Sequence, residues 1–365
     1  MPSVLAFLLL PFSWLYAGVL AVRNWLYDSG WKRAETFAVP LLCVGNLRVG
    51  GTGKTPHVGW LVHELLRLGH RPAILSRGYG RRTRGPRLAG PTDSAATVGD
   101  EPWQYFQHFT GENVPVAVAE ERRLGVQLLL RAHPGLTVVV LDDAYQHRAV
   151  RPALNVLLTE WARPFYQDQV LPAGRLRESR AGARRADVIV VTKCPPALAA
   201  PAQAAIAARI RRYGRPAAPV LFSAYAYGAP RPLALAGEIA GGAAEGLLPA
   251  GPAAGPALLL TGIAQSEPLR EYLETQGYAI RHHALLPDHH AFQRADLAAL
   301  QAHWQLGWPI FTTEKDATRL QAPGLWAGRP AMLGATHTIP VRVAFLGDGG
   351  AVLRRLLPRM PAPAA

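Results

Sequence analysis

Acidic residues are scarce in this chain: 25 Asp and Glu stand against 39 Lys and Arg, a formal net charge of +14 over 365 residues. Cysteine is scarcer still. The two present, Cys43 and Cys194, exclude a disulfide scaffold and a Cys-rich zinc site, and they fit a reducing compartment. No fixed-period repeat occurs, which removes solenoids and propellers. Charged residues make up only 18% while 49% are hydrophobic, so the chain can bury a sizeable core and is not disordered. Its length fits two domains or one large domain with insertions. The basic excess points to an anionic partner: nucleic acid, a phosphorylated substrate or an acidic membrane face. No nucleic-acid-binding motif is visible and the aromatics are not interleaved with the arginines, so no nucleic-acid partner is expected.

Charge is missing altogether from residues 4–22, a run of 19 residues rich in Leu, Phe and Trp. That reaches the lower end of the roughly 17–25 residues a spanning helix needs. A secretory signal fits poorly, because no Lys or Arg precedes the run and no small-x-small cleavage site follows it. Pro11 and Ser13 weaken a full span. Trp14, Tyr16, Trp25 and Tyr27, followed by Arg23, Lys32 and Arg33, have the character of interfacial anchors beside a basic flank. The run is expected to be a helix (1–30) lying in the cytoplasmic face of the membrane, with a single span as the alternative and an ordinary buried helix as a third reading.

Beyond residue 38, short apolar strands alternate with amphipathic helices. Strands are predicted at 39–45, 73–76, 114–119, 137–141, 154–159 and 188–192, and helices at 55–68, 101–109 and 122–133. Continuous apolar strands alternating with helices mean a mainly parallel sheet covered on both faces, an α/β fold. Between 229 and 257, 21 of 29 residues are Ala, Gly or Pro, which reads as a linker. A second αβ pattern follows at 258–263, 267–275, 278–283, 295–304 and 310–313. The expected architecture is an N-terminal helix, an αβα sandwich over 31–228 and a smaller αβα lobe over 258–365, with a cleft between the lobes.

Between the first strand and first helix runs Gly45-Asn46-Leu47-Arg48-Val49-Gly50-Gly51-Thr52-Gly53-Lys54-Thr55-Pro56. Glycines let backbone N–H groups converge on a phosphate beside the positive end of a helix. Lys54 can reach the β- and γ-phosphates of a nucleotide, and the Thr55 hydroxyl can ligate Mg²⁺. A strict G-x-x-x-x-G-K-[ST] loop would have glycine at Arg48, and Gly50 and Gly51 can supply that bend instead. Residues 48–55 are therefore the candidate nucleotide site. The loop also needs an acid at a nearby strand end, and Val138-Val139-Val140-Leu141-Asp142-Asp143 has that form. A chance Gly-Lys-Thr turn and a solvated strand end are the plain alternatives.

With these residues in hand the chain resembles the tetraacyldisaccharide 4′-kinase family, the lipid A 4′-kinases of Gram-negative bacteria. Beside the phosphate loop, the matching blocks are Ser76-Arg77-Gly78-Tyr79-Gly80, Gly99-Asp100-Glu101-Pro102, Pro115-Val116-Ala117-Val118 with Arg122, Asp142-Asp143 with Gln146-His147, and Leu171-Pro172-Ala173-Gly174 with Arg177-Glu178. The second lobe contributes Thr261-Gly262-Ile263-Ala264, Asp288-His289 and Thr313-Glu314-Lys315-Asp316. Ala144, where many members have glycine, and Arg175 depart from the pattern, and the extreme C-terminus is unmatched.

The resemblance implies a P-loop kinase that transfers the γ-phosphoryl group of ATP to the 4′-hydroxyl of a tetraacylated glucosamine disaccharide 1-phosphate at the inner face of the inner membrane, with no obligate protein partner. It implies Asp100 as the base and His289, from the other lobe, as the group that orients it. Thr55 is expected to hold Mg²⁺ with Asp142 and Glu101, and Asp143 to orient a neighbour. Arg122 is expected to stabilise charge on the transferring group. Arg77, His147, Arg177 and Glu178 are expected near the substrate or behind it. The stretch Arg77, Arg81, Arg82, Arg84 and Arg87 reads equally as a headgroup-binding surface or a solvated loop. The competing function is a membrane-associated P-loop NTPase acting as a switch or motor on a protein partner, which explains the loop but not Asp100 with His289.

Overall fold

The computed structural model describes residues 7–233 and 255–358. Two sheets organise it. The first contains nine strands in the order β14-β8-β7-β6-β1-β5-β2-β4-β3. These are β1 (Leu41–Asn46), β2 (Pro72–Ser76), β3 (Arg87–Leu88), β4 (Val116–Val118), β5 (Val138–Asp142), β6 (Leu154–Glu160), β7 (Val188–Thr192), β8 (Val220–Tyr227) and β14 (Val341–Phe345). All pairings are parallel except those of β3 with β4 and β14 with β8.

Continuous apolar strands make sense here because both faces are covered. Along β1, Leu41 and Cys43 enter one core while Leu42 and Val44 enter the other, as the two-residue strand period requires. The helices of this lobe are α2 (Lys54–Arg67), α3 (Ala95–Val98), α4 (Asp100–His108), α5 (Arg122–Ala132) and α6 (Ala200–Arg211). Helix α2 buries Val58, Leu61, Val62 and Leu65 under one face, each contributing about 1.5–3 kcal/mol. Helices α5 and α6 close the other face with Val126, Leu129 and Ile210.

The second sheet has the order β11-β10-β12-β13-β9, built from β9 (Arg231–Pro232), β10 (Pro256–Thr261), β11 (Ala279–Leu285), β12 (Ile310–Thr313) and β13 (Thr336–Ile339). It carries α7 (Glu267–Thr275), α8 (Arg294–Gln301), α9 (Glu314–Leu320) and α10 (Pro330–Gly334). The lobes divide differently from the sequence expectation of 258–365. Strand β14 pairs with β8 of the first sheet, and Leu353 of α11 (Gly349–Leu356), with Leu357, packs into the first lobe's core. The chain thus crosses twice between the lobes, at 228–230 and at Pro340, where Gly228 N–H donates to the Pro340 carbonyl. Of the expected linker 229–257, residues 231–232 form β9, and 234–254 lie outside the described residues, as does the unmatched C-terminus beyond 358.

The N-terminal helix α1 (Leu10–Asp28) is docked by its polar groups. Ser13, its one buried residue, accepts from Ala173 N–H at 2.9 Å. Arg23 donates to the Gln146 carbonyl at 2.6 Å and Asn24 to Glu178 at 3.3 Å. Its large apolar side chains point outward, with Trp14 and Leu15 each 70% exposed. Among the described residues no helix is long and apolar enough to cross a membrane.

Candidate active site

Parallel strands bring the C-terminal ends of β1, β2, β5, β6 and β7 to one edge, so Asn46, Ser76, Asp142, Glu160 and Thr192 gather around the turn that follows β1. The turn is tightly held. Asn46 donates to Thr52 Oγ1 at 2.7 Å, and Thr192 Oγ1 donates to the Thr52 carbonyl at 2.9 Å. Gly53 caps α2 with φ 80°, and a Cβ there would stand 2.7 Å from the Tyr225 hydroxyl, so the position is restricted to glycine on both counts. Val49 N–H donates to Arg175 and Thr52 N–H to Gly50. Lys54 and Thr55 open α2 and line a cleft of about 1760 Å³ between the lobes.

Arg48, which replaces the first glycine of the strict loop, directs its side chain into ion pairs with Asp168 at 2.7 Å and Glu160 at 3.2 Å. Its guanidinium is committed to these carboxylates, while the residue lines the cleft with the rest of the 48–55 loop. Lys193, in the left-handed region at φ 55°, shares Glu160 and also donates to the Gly51 carbonyl and to Gln265 of the second lobe.

The acid pair closes one side of the loop. Lys54 Nζ lies 3.7 Å from Asp143 Oδ1, and Arg177 Nη1 donates to both Asp143 oxygens at 3.0 Å. Burial raises the Asp143 carboxyl, but Lys54 and Arg177 outweigh it and hold the group below its ordinary value. Asp142 behaves oppositely: burial, then its neighbour Asp143, push it up to about 6. One Asp142 oxygen accepts from Ser76 at 3.1 Å, and the other, Oδ1, is buried with no partner. A buried carboxylate oxygen without a donor is what a cation site requires. Among the described residues no three His, Cys, Asp or Glu groups converge as a metal cage. Mg²⁺ characteristically uses one or two carboxylates together with water and substrate phosphates.

Arg122 departs from its expected place. Its guanidinium is buried and donates to the carbonyls of Ala119 at 2.7 Å, Asp142 at 3.1 Å and Asp143 at 3.2 Å. It therefore pins the strand end that carries the acid pair, and burial lowers its pKa to about 10. Glu178 likewise lies behind the cleft, buried and accepting from Gln146 at 2.9 Å, Arg185 at 2.7 Å and Asn24 of α1. Arg77 and His147 line the cleft, His147 with its pKa lowered to about 4 first by burial and then by Arg122 and Arg77. In the arginine-rich stretch, acids from outside it pair with two members: Arg81 with Glu120, and Arg87 with Asp93 at 2.7 Å. Arg82 and Arg84 remain exposed.

Asp100 and Glu101 begin α4, after Gly99 at φ 98°, where a Cβ would meet the Tyr79 carbonyl at 3.0 Å. Facing them from the second lobe, His289 Nδ1 stands 3.0 Å from Asp100 Oδ2. Lys315 Nζ lies 3.1 Å from His289 Nε2, 3.3 Å from Asp288 and 3.6 Å from Glu101. Arg319 Nε comes within 3.6 Å of Asp100. Sequence reasoning quoted Lys315 within its motif without giving it a place here, and it did not identify Arg319, Lys193 or Glu160. The available signal was a basic residue one and five positions into a helix beginning at a strand end.

A parallel sheet leading from its central strand through a glycine-rich turn into a helix, with Lys54 and Thr55 at the helix start and Asp142 at the next strand end, defines a P-loop nucleotide-binding protein. A profile described as tetraacyldisaccharide-1-P 4′-kinase matches residues 5–360, and the chain belongs to that family. It is 42% identical over 316 residues to the tetraacyldisaccharide 4′-kinase of Cytophaga hutchinsonii, covering 86% of this chain and 84% of that one. To the tetraacyldisaccharide 4′-kinase of Flavobacterium johnsoniae it is 40% identical over 350 residues, 94% of each chain. The crystal structure of LpxK from Aquifex aeolicus in complex with ATP superposes with a TM-score of 0.72 at 26% identity, covering 97% of this chain and 98% of the other.

Proposed function

We propose that this protein is an ATP-dependent kinase that phosphorylates the 4′-hydroxyl of a tetraacylated glucosamine disaccharide 1-phosphate, working at the cytoplasmic face of the inner membrane. The observation that carries the reading is the juxtaposition, in a chain of this family, of a P-loop with an Asp100–His289 pair drawn from opposite lobes. A switch or motor needs no positioned base of this kind.

A sugar hydroxyl is a weak nucleophile, so the reaction depends on alignment and charge neutralisation. Asp100 accepts the hydroxyl proton as the oxygen–phosphorus bond forms, while the bond to the β–γ bridging oxygen breaks and its electron pair leaves with ADP. His289 orients the Asp100 carboxylate. Lys54 neutralises the β- and γ-phosphates, and Asp143 with Arg177 holds Lys54 in place. Thr55, Asp142 and Glu101 are the groups suited to Mg²⁺, which when bound offsets phosphate charge.

The membrane assignment rests on α1, whose polar side faces the protein and whose Trp, Leu and Phe side chains face outward. Tyr16, Leu20 and Arg23 of α1 also line the cleft, so an acyl chain held at the helix surface can present its sugar to the P-loop. The test is incubation of the purified protein with γ-labelled ATP and a tetraacyldisaccharide 1-phosphate. Label should appear in the lipid; ATP hydrolysis with no labelled lipid would favour the switch reading.

A further inference from the structure

Tyr105 belongs to the core and to the cleft at once. It is only 2% exposed, and its ring is part of the core that contains Leu61, Leu65 and Phe109, yet it also lines the space between the lobes. It stands on α4 one turn after Glu101, at the spacing that puts both side chains on one face of the helix. Its hydroxyl is buried and has no hydrogen-bond partner. The Thr55 hydroxyl approaches it without closing a bond of ordinary geometry. Burial, then the charge of Asp142, raise the phenol well above its usual pKa, with Thr55 opposing them and Glu101 and Asp143 adding to them. The hydroxyl therefore keeps its proton and sits among the groups that follow the phosphate loop.

Asp142 Oδ1, at the end of β5, is likewise buried and unpartnered. Two orphaned polar atoms, carried by a helix and a strand, thus border one small region beside Thr55. Folded proteins avoid leaving such atoms unsatisfied. A bare cation on Asp142 would satisfy the carboxylate and do nothing for the phenol, whereas a hydrated one can serve both. Mg²⁺ dehydrates reluctantly and keeps several waters when only one or two carboxylates hold it. Each of those waters turns its oxygen to the ion and its protons outward. A phenol presents a lone pair as well as a proton, so it can take one of these protons where a phenylalanine edge could not.

We propose that Tyr105 is a positioning residue for the metal, its hydroxyl receiving a proton from a water of the hydrated Mg²⁺ held at Thr55 and Asp142. The ring is fixed by the core, so the hydroxyl sets how the hydrated ion sits beside the nucleotide phosphates. The proposal rests on the reading of Thr55 and Asp142 as groups suited to Mg²⁺.

The test is Tyr105→Phe in the full-length protein, with binding of a non-hydrolysable ATP analogue followed by calorimetry in excess Mg²⁺ and again in EDTA. In Mg²⁺ the variant should bind the analogue about tenfold more weakly than wild type, the lower end of what loss of an outer partner of a metal site costs. In EDTA the two proteins should bind it alike. Without metal or nucleotide, Tyr105→Phe should melt no lower than wild type, because the deleted hydroxyl has no protein partner to lose. Equal affinities in Mg²⁺, equal losses in both buffers, or a lower melting temperature of the bare variant would each overturn the proposal. Asp142→Asn, measured in parallel, should lose the affinity that Mg²⁺ adds. If it keeps that gain, the reading of the cation site fails and the proposal with it. If Asp142→Asn loses the gain while Tyr105→Phe keeps it in full, the proposal alone fails.

Discussion

Lys54 stands 3.7 Å from Asp143, and Asp143 is gripped from its other side by Arg177 at 3.0 Å. The P-loop lysine is therefore steered by a carboxylate that keeps a second cation, and its removal leaves no orphaned buried charge. Lys54→Ala is expected to melt close to wild type while losing kinase activity by about 10²–10³-fold, the scale of one lost transition-state contact. Thermal melting alongside a phosphoryl-transfer assay separates the two effects. Full activity in a folded variant would place the nucleotide elsewhere.

The pairing of Asp100 with His289 predicts non-additive kinetics. Asp100→Asn and His289→Ala should each lower kcat by roughly 10²–10⁴-fold, and the double variant should be little worse than the poorer single one. ATP binding, followed by calorimetry, should survive both, because neither residue belongs to the loop of 48–55. Losses that multiply would mean that the two act independently.

Asp142 gives the pH dependence. Burial and then Asp143 push its carboxyl up to about 6, and a metal ligand must be ionised. Between pH 6 and pH 5 the carboxylate fraction falls from about a half to about a tenth, so the Mg²⁺ concentration for half-maximal activity should rise about fivefold. Stability of the metal-free protein moves the other way. The folded chain takes up this proton before the unfolded one does, so the contribution is fully present below the unfolded value near 4 and lost as pH rises through about 6. Asp142→Asn should abolish both trends. A half-maximal Mg²⁺ concentration constant from pH 7 to pH 5 would exclude Asp142 from the metal site.

Local chemistry was legible before the fold was known. The turn after β1, the start of α2 and the acid pair after β5 each lie within one stretch of sequence whose residue types state their task. What escaped was decided by distant partners. Nothing near Arg48 announces Glu160 and Asp168, and nothing near Arg122 announces the carbonyls of residues 142 and 143 that accept from its Nη2. The return of β14 to the first sheet escaped for the same reason. Its side chains are only half-buried or exposed, so its short pattern says nothing about which sheet edge it will join.

Arg48 offers a test of what its two ion pairs contribute. Arg48→Ala leaves Glu160 with Lys193 and Asp168 with only backbone donors from Gln169 and Arg175. Loss of one partner from a fully buried pair costs about 3–5 kcal/mol. Since both acids keep a donor, about 1–3 kcal/mol is expected here, read from urea unfolding. Arg48→Gly, which restores the strict loop pattern, should be no more stable than the alanine variant. Wild-type stability in either would mean that the ion pairs contribute nothing to the fold.

Helix α1 inverts the usual rule, with Ser13 buried while Trp14, Leu15 and Val19 are largely exposed. Water-exposed apolar side chains can be replaced at little cost to the fold, within about 0.5 kcal/mol, whereas a bilayer would gain about 1.5–3 kcal/mol from each large side chain it buries. Leu15→Asp with Val19→Asp should therefore leave the melting temperature nearly unchanged and reduce binding to anionic phospholipid vesicles by at least about tenfold per substitution. Vesicle flotation measures this directly. ATP binding should persist, because Lys54, Thr55 and Asp142 are held by the sheet and not by α1. Transfer to a detergent-dispersed acyl disaccharide should suffer less than transfer to one embedded in vesicles, since only the second requires docking on a bilayer. If the double variant floats with vesicles as wild type does, α1 is not the anchor, and the exposed cations Arg82 and Arg84 become the surface to alter next.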